Sequence, residues 1–161
     1  MNLEPNHREA LMKETIDLSL ASVKQNDGGP FAAIIVKEGK VVSRGTNLVT
    51  STNDPTAHAE IIAIRDACRQ LKTFKLDGCE IYTSCEPCPM CLGAIYWARL
   101  DRIYFANTRA DAAQIGFDDN LIYHEIPLPL SQRKIPTIRL MGDEALRAFR
   151  EWERKEGKTK Y

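Results

Sequence analysis

The chain has 161 residues, 43% hydrophobic and 27% charged, with Lys plus Arg equal to Asp plus Glu at 22 each. This length supports one domain spanning residues 1–161 with a core that needs no disulfide staples. The neutral balance argues against a strongly electrostatic nucleic-acid binder, and no apolar run is long enough to cross a bilayer.

The start, Met1 to Asn6, lacks the basic-then-apolar pattern of a secretory signal. Five cysteines, three of them between Cys85 and Cys91, do not suit a disulfide scaffold. They suit a reducing, cytoplasmic compartment in which thiols stay free to hold a metal. Cys68 and Cys79 lie in apolar surroundings and read as inert buried thiols.

From about His7 to Gln25 the pattern is helical. Met12, Ile16, Leu20 and Val23 recur at three- and four-residue spacing, and Leu11 and Leu18 broaden the stripe. Asn26 to Pro30 ends the helix. Gly28 and Gly29 there either make a tight turn or let the backbone approach a flat ligand. Phe31 to Val36 reads as a strand, Lys37 to Lys40 as a hairpin turn, and Val41 to Thr46 as its partner strand. Asn47 closes that strand, either as a turn residue or with its amide offered to a ligand.

A polar loop leads to Asp54-Pro55-Thr56, where Asp54 or Thr56 would cap a helix running to about Leu71. Its expected core face is Ile61, Ile64, Ala67, Cys68 and Leu71. His58 would sit in its first turn, where the positive helix end favours neutral imidazole. Two residues along an ideal helix is about 200° of rotation, so His58 and Glu60 should not share a face. Cys79 to Thr83 reads as a third strand. Pro89 starts a helix that ends near Arg99, and Asp101 to Ala106 reads as a fourth strand parallel to the third.

Asp111 to Gln114 suggests a short helical turn. Leu121 to Leu130 is apolar but broken by Pro127 and Pro129, which suits an edge segment or exchanged arm. Ile135 to Leu140 suggests a last strand weakened by Pro136. Asp143 to about Lys155 is a final helix with the apolar stripe Ala145, Leu146, Phe149 and Trp152. The remaining tail is either flexible or folds Tyr161 over a pocket.

The chemistry gathers at Ser84-Cys85-Glu86-Pro87-Cys88-Pro89-Met90-Cys91 and, upstream, His58-Ala59-Glu60. Cys88 and Cys91 can place two thiolates on one metal, and a histidine supplies a third ligand. The fourth position then stays open for water, as in a catalytic zinc site. Zinc lowers the pKa of bound water toward about 7, and a nearby carboxylate can shuttle the proton. His-x-Glu followed by Pro-Cys-x-x-Cys is the zinc nucleobase deaminase signature, with His58, Cys88 and Cys91 as ligands and Glu60 as shuttle. Two other readings explain less. A closed structural site with Cys85 as fourth ligand, an interaction module, leaves Glu60 idle. A thioredoxin-like redox pair would fall nearer the first βαβ unit.

On these residues the sequence resembles the cytidine and deoxycytidylate deaminase superfamily, and within it the small bacterial guanine deaminases. The likeness extends over Gly28 to Phe31, Asn47, Thr52 to Glu60, Tyr82 to Cys91, Gly93 to Arg99, Ile115 to Asp119 and Lys160-Tyr161. The metal motif points to the superfamily only; the last three groups point to guanine deaminase.

The resemblance implies a three-layer α/β/α fold with a central mixed five-stranded sheet. It implies zinc on His58, Cys88 and Cys91, a free Cys85, and Glu60 as proton shuttle. Phe31 would stack on a small purine, Asn47 would bond it, Asp119 would read its polar edge and Tyr161 would close the pocket. It also implies a homodimer exchanging C-terminal segments, so that Asp119 and Tyr161 serve the neighbouring subunit's centre. The implied reaction is hydrolysis of the amine at guanine C2. A transfer-RNA adenosine deaminase, or a cytosine, deoxycytidylate or aminotriazine deaminase, shares the motif. Many members carry glycine where Ala32 stands, so a slightly narrower pocket is expected.

Overall fold

The computed structural model describes residues 5–160. Seven helices and four strands follow in chain order among the described residues. They are α1 (Pro5–Gln25), β1 (Ala32–Lys37), β2 (Lys40–Thr46), α2 (Val49–Thr52), α3 (Ala59–Leu71), β3 (Cys79–Cys85) and α4 (Pro89–Ala98). Then come β4 (Arg102–Asn107), α5 (Arg109–Gln114), α6 (Asn120–Glu125) and α7 (Gly142–Arg154). The chain divides into two compact units, Met1–Asp119 and Asn120–Tyr161.

In the first unit the strand order is β2-β1-β3-β4. β1 is antiparallel to both β2 and β3, whereas β3 and β4 are parallel. The β1–β2 hairpin closes through Glu38 and Gly39, both at positive φ (51° and 77°), a reversal that suits the twist of the paired strands. The parallel pairing of β3 and β4 matches the strand–helix–strand order of the sequence.

Strand alternation divides the core into two layers. Ala33, Ile35 and Ile81 face one side, under Ala59, Ala63 and Ala67 of α3 and Ile95 and Ala98 of α4. Ile34, Val36 and Tyr82 face the other, under Leu11 of α1. The alanine face of α3 allows a close approach to the sheet. At Gly45 on β2 a Cβ would lie 2.2 Å from the Ala59 carbonyl oxygen and 2.7 Å from the Ala63 nitrogen.

The expected three-layer α/β/α arrangement holds, but the central sheet is four-stranded, not five-stranded. The expected last strand, Ile135 to Leu140, forms none. Pro136 has no N–H to donate to a ladder, and Ile135, Ile138 and Leu140 are each about four-fifths exposed (77%, 82% and 81%). Leu121 to Leu130 is no edge strand: α6 covers its first half, and a 3-10 turn begins at Leu130. In this second unit Arg133 donates to the carbonyls of Leu128 and Ile126, and the Lys134 N–H donates to Glu125. α7 agrees with expectation to within a residue at each end.

α1 turns differently from its hydrophobic pattern, whereas α3 keeps most of its expected face and adds alanines and Glu60 to it. α1 buries Leu11, Thr15 and Ser22, while Ile16, Leu20 and Val23 are exposed. The Thr15 hydroxyl donates to the Leu11 carbonyl at 2.9 Å, so a residue counted as polar sits in the interior without an orphan group. On α3 the buried face is Ala59, Glu60, Ala63 and Ala67, with Ile64, Cys68 and Leu71 partly buried beside the core.

Candidate metal centre and active site

β3 and β4 deliver the site. Their register pairs Cys85 with Asn107, so the loop after Cys85 emerges at the C-terminal end of these two parallel strands. Pro89 then starts α4, with its fixed φ in the first helical position. Cys88 is the residue just before that helix, extended at φ −65° and ψ 168°. His58 holds the same place before α3, at φ −69° and ψ 155°. Neither side chain caps its helix with a hydrogen bond.

His58 therefore lies outside the first turn in which the sequence placed it. Asp54 and Thr56 do not cap α3 either. The Asp54 carboxylate accepts from the Thr56 N–H at 2.8 Å and its hydroxyl at 2.6 Å, closing a local turn. The extended backbone at His58 removes the rotational conflict with Glu60. The imidazole leaves the chain before helical phase begins, so both side chains can face one point.

His58 Nδ1 lies 3.6 Å from Cys88 Sγ and 3.5 Å from Cys91 Sγ. All three ligand atoms fall within 4.8 Å of one another. Tetrahedral zinc, with Zn–N of about 2.0–2.1 Å and Zn–S of about 2.3 Å, sets N···S separations near 3.6 Å. The residues fit a zinc ion in both donor chemistry and spacing. Cys85 stands outside the group, with its thiol directed to the Thr108 carbonyl at 3.5 Å. As placed, Cys85 does not complete a closed four-ligand site.

The electrostatics suit the same ion. The Cys91 thiol donates to Cys88 and holds the Cys88 pKa down at about 4, with His58 adding to the effect. The proton stays on Cys91, whose thiol is pushed far up by that bond and by burial. His58 is raised chiefly by its bond to Cys88. Glu60 is buried, and desolvation pushes its carboxyl up. Its carboxyl group also meets the Cys91 thiol. Burial pushes the Cys85 thiol up to about 11. All five cysteines are free thiols.

The surrounding residues are ordered by backbone contacts. Asn47 is buried, donates its N–H to the Phe31 carbonyl at 3.1 Å, and accepts the Val49 N–H on its amide oxygen at 3.2 Å. A Cβ on Gly28 would come within 2.0 Å of the Asn47 carbonyl oxygen, and one on Gly29 would touch Phe117 and Phe31 at 3.3 Å. These glycines make room for the protein's own backbone and rings. The Ala32 N–H donates to the buried Ser84 hydroxyl at 3.0 Å, tying the strand beside Phe31 to the end of β3.

Phe31 meets Phe117 edge to face, with centroids 4.9 Å apart and planes at 89°. The Asp119 carboxylate pairs with Arg109 Nε at 3.6 Å. Burial pushes Asp119 up, Arg109 opposes it, and the charge of Cys88 in the same chain pushes it further. Tyr161 lies outside the described residues. Sequence reasoning left Glu86, Arg109 and Phe117 without individual roles. Glu86 stood in plain view as the acid between Cys85 and Pro87, but its partner is 23 residues away in sequence.

A family model described as the cytidine and deoxycytidylate deaminase zinc-binding region matches residues 5–107. The chain belongs to this deaminase family. It is 49% identical over 156 residues to guanine deaminase of Bacillus subtilis, covering 97% of this chain and 99% of that one. The crystal structure of guanine deaminase from Bacillus subtilis superposes with a TM-score of 0.93 at 47% identity, covering 100% of this chain and 99% of that one. A tRNA-specific adenosine deaminase of Aquifex aeolicus is also 49% identical, but over 77 residues, 48% of this chain and 51% of that one. Within the family, full-length likeness runs to guanine deaminase; likeness to the transfer-RNA enzyme is partial.

Proposed function

We propose that the protein is a zinc-dependent aminohydrolase that converts guanine to xanthine and ammonia. The observation that carries the chemistry is the buried Glu60 carboxyl against Cys91, beside a His58–Cys88–Cys91 triangle of zinc-site dimensions. The choice of guanine is supported by the likeness to guanine deaminase over 97% of the chain, including the region after residue 107 that the family model leaves unmatched.

When bound, zinc supplies Lewis-acid activation of water at neutral pH. Glu60 accepts a proton from the attacking water as oxygen bonds to guanine C2. It delivers that proton to ring N3, and a proton then passes to the exocyclic nitrogen as the C2–N bond breaks. Water is consumed, ammonia leaves and xanthine remains. A carboxyl raised by burial is suited to both steps, because it neither holds nor releases its proton too firmly.

Phe31 stacks on the purine face, with Phe117 bracing it from the side. Asn47 keeps its amide oxygen on Val49 and turns its NH2 to the purine. The Asp119 carboxylate accepts from ring or amine N–H groups on the polar edge. Tyr161 closes the pocket.

The protein acts as a single catalytic domain and as a homodimer with exchanged C-terminal segments. Exposed Ile135, Ile138 and Leu140, together with Leu146, Phe149 and Trp152 on α7, give such an exchange apolar surface to bury. It works in a reducing, cytoplasmic setting on a free base, without a nucleic-acid partner. No helix among the described residues is long and apolar enough to cross a membrane.

Ammonia release from guanine, adenine, cytosine, deoxycytidylate and an aminotriazine, assayed in parallel, tests the substrate. Turnover of guanine is expected to dominate. An inert guanine beside a clear second substrate overturns the reading.

A further inference from the structure

We propose that Arg109 is a positioning residue that ties the Asp119 carboxylate to the metal-binding loop and thereby sets guanine affinity. The inference rests on the reading of Asp119 as the group that meets the purine edge.

The tie begins at the strand ends. Asn107, Thr108 and Arg109 each bond to the two residues that open the metal loop. The Glu86 N–H donates to the Asn107 carbonyl at 2.8 Å. The Cys85 thiol reaches the Thr108 carbonyl at 3.5 Å, and the Arg109 N–H donates to the Glu86 carboxylate at 3.0 Å. Cys88 follows Glu86 by two residues, so the backbone at Arg109 and the zinc ligand are held in one frame.

That frame is rigid. Thr108 and Asp111 form a reciprocal cap, with Thr108 N–H to carboxylate at 2.8 Å and Asp111 N–H to hydroxyl at 3.3 Å. The Arg109 side chain then carries the position outward to Asp119. The chain returns to it by a turn at Gly116, whose φ of +92° suits glycine. Both groups of this pair are largely withdrawn from water, at 34% and 19% side-chain exposure.

The charges around Asp119 give the pair a second role. Burial pushes its carboxyl up, whereas Arg109 pulls it down. Arg109 thereby favours the ionised acceptor that an N–H-bearing edge requires. An arginine suits this because its guanidinium stays charged at any working pH.

The test compares Arg109→Gln, Arg109→Lys, Asp119→Asn and the Arg109→Gln/Asp119→Asn double variant, each with its zinc content measured. A misplacement of ~1 Å at a reacting group can cost ~10²-fold. R109Q should therefore raise KM for guanine roughly ten- to a hundredfold, with a smaller change in kcat and full zinc. Without the arginine's pull the Asp119 pKa rises, so the acid limb of kcat/KM should move to higher pH. R109K should recover part of the loss. In the D119N background, removing Arg109 should add less than about a twofold effect, since neighbouring groups that act together are not additive.

An impaired D119N beside an R109Q with wild-type KM and acid limb refutes the inference alone. Independent, multiplying losses in the double variant refute it as well. A D119N with wild-type KM overturns the substrate role of Asp119, and this inference with it.

Discussion

Gly45→Ala places one methyl group between β2 and the start of α3. Its Cβ would meet the Ala59 carbonyl oxygen at 2.2 Å, the Ala63 nitrogen at 2.7 Å and Ile62 Cβ at 3.1 Å. The two nearest atoms are backbone, so no side chain can swing aside. Restoring ordinary contact requires the first turn of α3 to withdraw by about 1 Å. Overpacking of this kind costs about 1–3 kcal/mol, and the backbone contacts place G45A at the upper end. For a chain of this size each kcal/mol lowers Tm by about 2–4 °C, so a fall of about 6–12 °C is expected.

The same shift moves His58 and Glu60, which flank Ala59. A displacement of ~1 Å predicts a loss on the order of 10²-fold in kcat/KM, even with zinc still bound. Thermal melts, metal content and ammonia release on one preparation measure all three quantities. A G45A protein that melts with the wild type and deaminates guanine at the wild-type rate would refute the close packing of β2 on α3 as the device that places these residues.

Glu60→Gln should retain zinc and lose ammonia release; normal release would remove Glu60 as the shuttle. In the metal-free protein E60Q should also flatten the pH dependence of stability. Burial raises the folded pKa of Glu60 above its unfolded value, so the folded state holds the proton longer. Stability is then lost as pH rises from the unfolded pKa through the folded one, and urea midpoints against pH show whether E60Q lacks that slope. Cys85→Ser should keep zinc and activity, since its thiol makes only a weak contact to Thr108, whereas Cys91→Ser should lose the metal. A metal-free C85S protein would contradict this division. Zinc affinity should fall on acidification, because Cys91 holds its proton strongly and must give it up on binding. A chelator competition that gives equal affinity at pH 6 and pH 8 would contradict that expectation.

The metal triangle and the strand-to-helix setting of Cys88 were legible because local rules govern them. Pro89 marks a helix start, and a two-residue gap between cysteines fits one ion. What failed was longer in range. The phase of α1 was misread because Thr15 closes its own hydrogen bond and enters the core, leaving Ile16 and Leu20 outside. The apparent conflict between His58 and Glu60 came from starting α3 at an Asp54 or Thr56 cap, two to four residues too early. The extended ψ of 155° at His58 depends on how two helices meet the sheet, which no local pattern encodes. A fifth strand at Ile135 to Leu140 needs a neighbouring edge, and the alternating apolar residues carry no information about whether one is present. The Arg109–Asp119 pair spans a turn at Gly116, and charged residues this common in sequence give no sign of which will meet.

His58 and Cys88 occupy the residue just before α3 and α4; His58 makes no side-chain cap, and the Cys88 sulfur meets only the Cys91 N–H, short of a full capping hydrogen bond. Serine, threonine or aspartate at such positions would stabilise a helix by about 1 kcal/mol. Here the anchoring of both helix starts passes to whatever joins His58 to Cys88 and Cys91. Loading the ion is therefore also a folding event, local to two turns, that fastens α3 to α4 across the end of β3. In the unloaded protein those turns should be the first to fray, with amide protons around Ala59–Ile61 and Met90–Leu92 exchanging faster than the strands beneath them. The cell's zinc supply would then govern how much of this protein is firmly folded as well as how much of it is active.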